Sequence, residues 1–451
     1  MIQTTARWFL LLLGAVAAST AAGAEEKKLP EQTATAIALV DALAKEDYVA
    51  AGKKFDTVMQ KAMPADKLEA TWQAILEQVG PFHKRTQTRV EKAGKYDVVL
   101  VTCQFEKAAL DVRVVFDNDK QVTGLQFRPA KGTYEFKPPP YARPESYREQ
   151  EIVVGSDEWA LPGKLTLPKG DGPFAAAVLV HGSGPHDRDE TIGPNKPFRD
   201  LAWGLASQGI AVLRYEKRTH EHGARLASSK ASLTIKEETV DDALAAVAEL
   251  RKHKAIDAAR IFVIGHSLGA TVAPQIGARD PMIAGLVLLA GNARPLEDLI
   301  LEQITYIKSL KGELSDKDKE ELDKLKKQVE RVKDPKLAAD TPAKELPLGA
   351  PAAYWLALRS YDQRATAARL TQPMLIAQGE RDYQVTSADF DAWKKALASR
   401  RNVRFRSYPK LNHLFMEGEG KAKPAEYDKA GHVARELVDD VAMWIKNLKK
   451  N

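Results

Sequence analysis

Residues 261–273 read Ile-Phe-Val-Ile-Gly-His-Ser-Leu-Gly-Ala-Thr-Val-Ala, and this stretch decides the fold. Four apolar residues typical of a buried strand lead into Gly265-His266-Ser267-Leu268-Gly269, and small residues typical of a helix start follow. This strand-to-helix turn matches the pattern G-x-S-x-G, in which side chains at the glycine positions would clash with a strained backbone. We therefore expect Ser267 to be an exposed nucleophile at the carboxyl edge of a sheet. The competing interpretation is an ordinary helix-capping serine.

Strand and helix patterns alternate on both sides of this turn. After a strand pair at about 151–167, the candidate strands are residues 175–180, 210–214, 260–264, 374–377 and 403–406. The candidate helices between and after them are residues 198–207, 237–251, 387–398 and 432–448, with a further helix directly after Ser267. Such alternation predicts a mostly parallel, doubly wound α/β sheet with helices on both faces.

Residues from about 293 to 370 interrupt the alternation. They contain no strand pattern but three helix patterns, at 296–310, 317–332 and 350–364, which prolines separate. A helical insertion between strands predicts a cap over the strand ends, where ligands bind. The alternative is a peripheral helical decoration with no gating role.

The first 24 residues have the pattern of an export signal. An apolar run at residues 8–18 follows Arg7, and Ala22-Gly23-Ala24 fits the A-x-A rule for signal peptidase. The run is shorter than the roughly 20 residues of a membrane span. We expect a cleaved signal peptide, residues 1–24, and a periplasmic or secreted protein; the alternative is an uncleaved anchor.

A smaller domain is expected at residues 25–135. Apolar residues at helical spacing occupy 32–78, and a period of two follows at 86–127, which predicts a small α+β domain with an antiparallel meander. The single cysteine, Cys103, lies in a strand pattern and is expected to be an inert core residue. Residues 136–147 are rich in proline and predict a stiff linker, so that residues 148–451 form the larger domain.

The candidate nucleophile needs a base and an acid. A serine hydroxyl is a poor nucleophile at neutral pH, so an imidazole must take its proton and a carboxylate must orient that imidazole. His413, in a loop after the last strand, is the candidate base, whereas His432 is expected to be a solvated residue at a helix start. Asp382 is the candidate acid and Glu380 its competitor. Asp382 is favoured because it lies deeper in its loop and precedes a valine that can anchor the turn.

Acyl transfer also requires two hydrogen-bond donors for the developing oxyanion. The backbone N–H of Leu268, directly after the nucleophile, is the first candidate. The glycine-rich loop Leu179-Val-His-Gly-Ser-Gly-Pro185 follows an early strand and offers Ser183 or Gly184 as the second. Without Ser267, this loop would be interpreted as a simple turn.

Composition and spacing exclude several other classes. The 451 residues, 44% hydrophobic and 28% charged, are typical of a globular protein with more than one core. A formal charge of +6 is too small to indicate nucleic-acid binding. The histidine pairs His181 with His186 and His220 with His222 lack the ligand spacing of known metal sites, and no P-loop is present. We expect no metal and no cofactor.

Four segments carry a family resemblance: His181-Gly-Ser-Gly-Pro-His-Asp-Arg-Asp-Glu190, Gly193-Pro-Asn-Lys-Pro-Phe-Arg-Asp200, Leu213-Arg-Tyr-Glu-Lys-Arg218 and Gly265-His-Ser-Leu-Gly269. With Asp382 and His413 they resemble bacterial α/β-hydrolase esterases of the dienelactone-hydrolase and serine-aminopeptidase-like group, in particular those with a small N-terminal domain of unknown function. The resemblance implies a cofactor-free serine esterase with the triad Ser267, Asp382 and His413. It departs at Thr219-His-Glu-His222, where many relatives have a glycine-containing turn, so substrate choice stays open.

The sequence thus predicts an exported serine hydrolase that cleaves esters of short to medium acyl chains through an acyl-enzyme. The triad does not distinguish an ester from an amide, so a peptidase, amidase or thioesterase remains an alternative. A catalytically silent envelope-binding protein is another. The expected partner is a small-molecule ester, with no nucleic acid, no stable membrane anchor and no particular oligomeric state.

Overall fold

The computed structural model describes residues 30–93, 96–106, 108–130, 136–228, 233–310 and 312–448. The chain divides into two compact units between residues 135 and 136. The expected signal peptide, residues 1–24, lies outside the described residues, so its cleavage stays a prediction. None of the helices in the described ranges is long and apolar enough to cross a membrane.

The first unit is the predicted α+β domain. Its helices are α1 (Pro30–Ala44), α2 (Tyr48–Ala51), α3 (Thr57–Ala62) and α4 (Ala65–Val79), and its strands are β1 (Phe82–Ala93), β2 (Tyr96–Phe105), β3 (Ala109–Phe116) and β4 (Val122–Pro129). The strands form an antiparallel sheet in the order β1-β2-β3-β4. Trp72 of α4 is buried against Phe105 and Phe127 of the sheet. Cys103 lies in the same core, and burial raises the pKa of its thiol to about 12, as expected of an inert residue.

The second unit contains an eight-stranded sheet in the order β12-β11-β10-β9-β7-β8-β6-β5. Its strands are β5 (Tyr147–Val154), β6 (Leu161–Pro168), β7 (Phe174–Val180), β8 (Ala211–Tyr215), β9 (Ile256–His266), β10 (Gly285–Leu289), β11 (Met374–Gly379) and β12 (Val403–Tyr408). Only the β5–β6 and β6–β8 pairs are antiparallel, so the predicted mostly parallel sheet is confirmed. Strand β10 was not predicted from the sequence. Its five residues, a glycine and four apolar residues, are all buried and therefore show no alternation.

Helices cover both faces of this sheet. They are α5 (Pro197–Ala206), α6 (Arg218–Glu221), α7 (Gly223–Ser228), α8 (Asp241–Lys252), α9 (Leu268–Arg279), α14 (Ser387–Ala396) and α15 (Arg435–Asn447). One core includes buried residues of α5 and α15, and the other includes residues of α8, α9 and α14. The helix predicted to begin at residue 237 instead starts with a π-helical turn, Lys236–Val240, ahead of α8.

The helical insertion lies between β10 and β11. It contains α10 (Leu296–Ser309), α11 (Asp316–Lys333), α12 (Ala352–Arg359) and α13 (Gln363–Arg369). The single helix predicted at 350–364 is wrong, because the side chain of Asp362 accepts a hydrogen bond from Ala365 N and starts a new helix there. Helix α10 reaches the loop after β11, where Gln303 Nε2 donates to Gln384 O at 2.7 Å. The insertion therefore contacts the carboxyl edge of the sheet.

The proline-rich segment from residue 136 packs on the second unit. Phe136 meets Trp203 edge-on, and the Tyr141 hydroxyl donates to Val433 O at 2.7 Å. Arg143 N donates to Ser207 Oγ at 2.8 Å. The segment predicted as a linker is thus fixed to the surface of α5 and the chain near α15.

Candidate active site

Ser267 occupies the single residue between β9 and α9. Its backbone has φ 52° and ψ −116°, a conformation that is strained for any residue with a side chain. A Cβ on Gly269 would lie 2.1 Å from Val180 O, and one on Gly265 would lie 2.3 Å from the carbonyl of Gly269. Both glycines are therefore sterically required, as the sequence analysis expected. Ser267 is partly exposed between buried neighbours, which matches the turn that presents a nucleophile.

Asp382 and His413 meet although 31 residues separate them. His413 Nδ1 lies 2.7 Å from Asp382 Oδ2, and the two residues are 4% and 5% exposed. The other carboxylate oxygen accepts hydrogen bonds from Gln384 N at 2.7 Å and Val385 N at 3.0 Å, which fixes the orientation of the acid. Glu380 is exposed to solvent and contacts His413 in none of the described hydrogen bonds or ion pairs. The structure therefore brings the predicted acid, and not its competitor, to the predicted base.

With Nδ1 donating to Asp382, Nε2 of His413 is the nitrogen left to accept a proton. No hydrogen bond joins it to Ser267 Oγ within the described part of the chain. Contacts between a nucleophile and its base are often long before substrate binds and shorten in the complex. Proton transfer between the two side chains therefore belongs to the proposal below.

His432 is only partly the solvated residue expected from the sequence. Its Nδ1 lies 3.1 Å from Oδ1 of Asp200, a carboxylate of α5 that is 1% exposed. Its ring also packs edge-on against Phe136. His432 thus fastens the chain before α15 to α5. Its side chain is 28% exposed, so the expected surface position is partly correct, but the sequence did not reveal its buried carboxylate partner.

The predicted oxyanion donors lie around Gly182. A Cβ on Gly182 would be 3.2 Å from Ser267 Cβ, so this loop touches the nucleophile. Among the described residues, the backbone N–H groups of Leu268, Ser183 and Gly184 donate to no protein atom. Leu268 is the first residue of α9, where an N–H group has no intrahelical partner. Among the described residues, none of the three predicted groups is therefore occupied by another protein acceptor.

Charged residues that the sequence analysis did not assign hold this loop. Asp189, only 3% exposed, accepts hydrogen bonds or ion pairs from Arg214, from Arg199 and, at 3.5 Å, from Lys196. The next residue, Glu190, is also buried. In the sequence these two residues belong to a run of charges directly after a glycine-rich turn. Such a run ordinarily indicates a solvated loop, so it did not reveal that the two carboxylates are buried. Buried charges of this kind need partners, and those partners fix the loop in place.

Glu190 and His266 connect the glycine-rich loop, the turn at Ser267 and the loop that carries His413. Glu190 Oε1 accepts from Gly182 N at 2.6 Å, and Glu190 Oε2 lies 2.9 Å from His266 Nδ1. His266 Nε2 lies 2.9 Å from the carbonyl oxygen of His413. Burial raises the pKa of Glu190, but the contributions of His266, His186 and His181 together exceed it and lower the pKa to about 2. Burial lowers the pKa of His266, but Glu190, the His413 carbonyl and Asp382 together more than reverse that, so the net pKa is raised.

The remaining histidine pairs bind backbone carbonyls. His181 Nε2 lies 3.0 Å from Asp187 O and His186 Nε2 lies 2.7 Å from Ser183 O. His220 and His222 similarly face carbonyl oxygens, at 3.3 and 3.0 Å. No group of three or more metal-ligating side chains was found in the described ranges. These histidines thus contribute to loop structure.

A strained serine turn on a mostly parallel sheet, together with a buried imidazole–carboxylate pair in the same unit, is typical of the class of α/β-hydrolases. Residues 172–420 match the family model described as serine aminopeptidase, S33, and the chain belongs to that family. Residues 36–125 match a protein family of unknown function, DUF3887.

A curated relative extends the match to nearly the whole chain. Esterase EstD from Thermotoga maritima is 40% identical over 410 residues, which cover 91% of this chain and 94% of the relative. Two solved structures are more distant. An esterase from Pyrococcus furiosus is 16% identical with a TM-score of 0.44, covering 70% of this chain and 99% of that one. Est1E from Butyrivibrio proteoclasticus is 16% identical with a TM-score of 0.42, covering 66% and 96%.

Proposed function

We propose that this protein is a serine esterase that cleaves carboxylic esters of short to medium acyl chains. Ser267 attacks the ester carbonyl, His413 takes the serine proton and returns it to the leaving alcohol, and Asp382 holds His413 in the correct tautomer. Water then attacks the acyl-enzyme with His413 again as base, and this step releases the acid. The N–H groups of Leu268 and the Gly182 loop stabilise the oxyanion of each tetrahedral intermediate.

The observation that carries this proposal is the buried 2.7 Å contact between His413 Nδ1 and Asp382 Oδ2, in the same unit as a serine at positive φ. A carboxylate that faces Nδ1 fixes the proton there and leaves Nε2 as the base. The choice of an ester over other acyl compounds is supported by the 40% identity to a protein named as an esterase.

Peptidase or amidase activity is the second candidate, because the family model is described as a serine aminopeptidase. The same triad would attack an amide or a thioester. A catalytically inactive envelope-binding protein is the third candidate. The N–H groups of Leu268, Ser183 and Gly184, which donate to no protein atom among the described residues, argue against it. Export through cleavage after Ala24 is part of the proposal and rests on residues 1–24 of the sequence.

The test is hydrolysis of p-nitrophenyl esters of two to sixteen carbons by residues 25–451, beside Ser267→Ala. We expect turnover that falls about 10⁶-fold in the variant and that is highest with shorter chains. Aminoacyl p-nitroanilides and thioesters are assayed in parallel. Turnover of the anilides alone would replace the esterase with an amidase, and failure of a fluorophosphonate to label Ser267 in the folded protein would favour the binding protein.

A further inference from the structure

The two peptide groups that flank the α-carbon of Gly182, beside Ser267, are each held by a charged side chain. Gly182 N donates to Glu190 Oε1 at 2.6 Å, and Gly182 O accepts from Lys217 Nζ at 2.7 Å. The same glycine is the residue of the loop that touches the nucleophile. The backbone of the loop is therefore fixed at the point where it meets Ser267.

Lys217 is an unusual residue for this position. Its side chain is 2% exposed and forms an ion pair at 3.0 Å with Glu238, whose side chain is 3% exposed. The Tyr354 hydroxyl, from α12 of the insertion, donates to the other Glu238 oxygen at 2.9 Å. Burying an ion pair costs several kcal/mol of desolvation and often contributes little net stability. A structural role alone would be served as well by apolar side chains.

The geometry of a trans peptide connects the Lys217–Glu238 ion pair to the orientation of a backbone N–H group in the loop. The carbonyl of one residue and the N–H of the next point in opposite directions across a planar group. Because Lys217 holds the carbonyl of Gly182, the N–H of Ser183 points away from Lys217. Among the described residues this N–H donates to no protein atom. A cationic donor on the carbonyl also polarises the peptide and strengthens its N–H as a donor.

We propose that Lys217 is a positioning residue that aims the Ser183 N–H at the oxyanion, with Glu238 holding Lys217 in place. This inference rests on the proposed acyl transfer at Ser267, and it selects Ser183 over Gly184 as the second donor. Helix α12 contacts the Lys217–Glu238 ion pair through Tyr354, so the insertion helps to hold Lys217 in place.

The first experiment compares full-chain Lys217→Met with the wild type. We expect kcat on p-nitrophenyl butyrate to fall about 100-fold with KM within about twofold, as for loss of one oxyanion donor. An alkyl trifluoromethyl ketone forms a hemiketal with the serine and places an oxyanion in the same position, so its inhibition constant should rise about 100-fold as well. The corresponding methyl ketone, bound without an oxyanion, should keep its affinity.

Two further variants separate positioning from general damage. Lys308→Met removes a buried lysine of α10 that pairs with Asp318 and Glu321, and it should keep the wild-type kcat. Glu238→Gln keeps the shape of the site and should lower kcat and trifluoromethyl-ketone affinity about tenfold, so the proposal stays testable if Lys217→Met does not fold. Unchanged kcat and ketone affinity in folded Lys217→Met or in Glu238→Gln would overturn it.

Failure of the esterase proposal can be distinguished from failure of the Lys217 proposal. If the wild type hydrolyses no ester, trifluoromethyl-ketone binding, followed by ¹⁹F NMR, still reports on the oxyanion site of any serine acyl transferase. Weaker binding to Lys217→Met would then support the role of Lys217 without an ester substrate. Equal binding by both proteins would refute it.

Discussion

At the scale of single residues, the two carboxylates after β11 differ in what they contact. Asp382 faces His413, and Glu380 is exposed. Asp382→Asn should lower kcat about 10⁴-fold, because an amide at this position favours the wrong imidazole tautomer. Steady-state hydrolysis of p-nitrophenyl butyrate measures this. The matched control, Glu380→Gln, should keep the wild-type kcat, and equal losses in both variants would refute the assignment.

His266 has an oxygen atom close to each of its ring nitrogens. Nδ1 faces the Glu190 carboxylate and Nε2 faces the His413 carbonyl, each at 2.9 Å. Although burial lowers the pKa of His266, the carboxylate beside Nδ1 helps to raise it overall, so we expect His266 to be an imidazolium at pH 7. In ¹⁵N-histidine NMR spectra, both of its nitrogens should show protonated shifts. Glu190→Gln replaces one acceptor oxygen by an amide donor and should convert the ring to the neutral form; a neutral ring in the wild type contradicts the inference.

The same pair predicts a dependence of stability on pH. The pKa of Glu190 is lowered from 4.5, so its contribution is full above about pH 4.5 and is lost as the pH falls towards 2. The pKa of His266 is raised from 6.5, so its contribution is full below about pH 6.5 and is lost as the pH rises through the higher folded value.

The difference in unfolding free energy between wild type and Glu190→Gln should therefore be largest between about pH 4.5 and 6.5. Besides Glu190, the charged group that faces His266 is Asp382. Besides His266, the titratable groups that face Glu190 are His181 and His186. Urea denaturation at a series of pH values measures the difference. A difference that is flat from pH 3 to pH 9 would show that the pair is not ionised.

At the scale of elements, local patterns were readable from the sequence and distant partners were not. The turn at Ser267 was predictable because the pattern, the strand before it and the helix after it are contiguous. The oxyanion loop was found only through its relation to Ser267. Glu190 and Lys217 were recognised as charged residues within sequence motifs. Their burial was not predicted, because their ion-pair partners His266 and Glu238 lie elsewhere in the sequence. The carboxylate partner of His432 was missed for the same reason.

Asp389 of α14 holds the first residues of the helical insertion. Its side chain is fully buried and accepts from Ala293 N at 2.9 Å, Arg294 N at 3.0 Å and the Arg294 guanidinium at 2.7 Å. Asp389→Ala leaves these donors without a partner and should lower the unfolding free energy by about 3 kcal/mol.

The control on the same helix is Asp391→Ala. Asp391 is 72% exposed and only pairs with Lys394 at 3.5 Å, so its removal should change stability by less than about 0.5 kcal/mol. Chemical denaturation of the second unit, followed by circular dichroism, compares the two variants. Similar effects of both would mean that the base of the insertion does not depend on Asp389.

At the scale of the whole molecule, each unit has a core of its own. The first core is built by α1, α2, α4 and the antiparallel sheet, and the proposed catalytic residues all lie in the second unit. A domain with its own apolar core can in principle unfold on its own. The two-part organisation was predictable because the period of the apolar residues changes twice, at about residues 80 and 150. The packing of the proline-rich segment on the second unit was not, since proline content predicts stiffness rather than contacts.

Substitution of one buried tryptophan in each unit tests this independence. Trp72 is 1% exposed in the first core, and Trp393 is 1% exposed in the second, where its Nε1 donates to Gly291 O at 2.8 Å. Trp72→Ala should lower the stability of the first unit by about 3–5 kcal/mol and leave kcat on p-nitrophenyl butyrate unchanged. Trp393→Ala should instead lower the stability of the second unit and, with it, the temperature at which activity is lost. Scanning calorimetry should then show a different transition shifted in each variant, and a shift of both transitions in both variants would mean that the units unfold together.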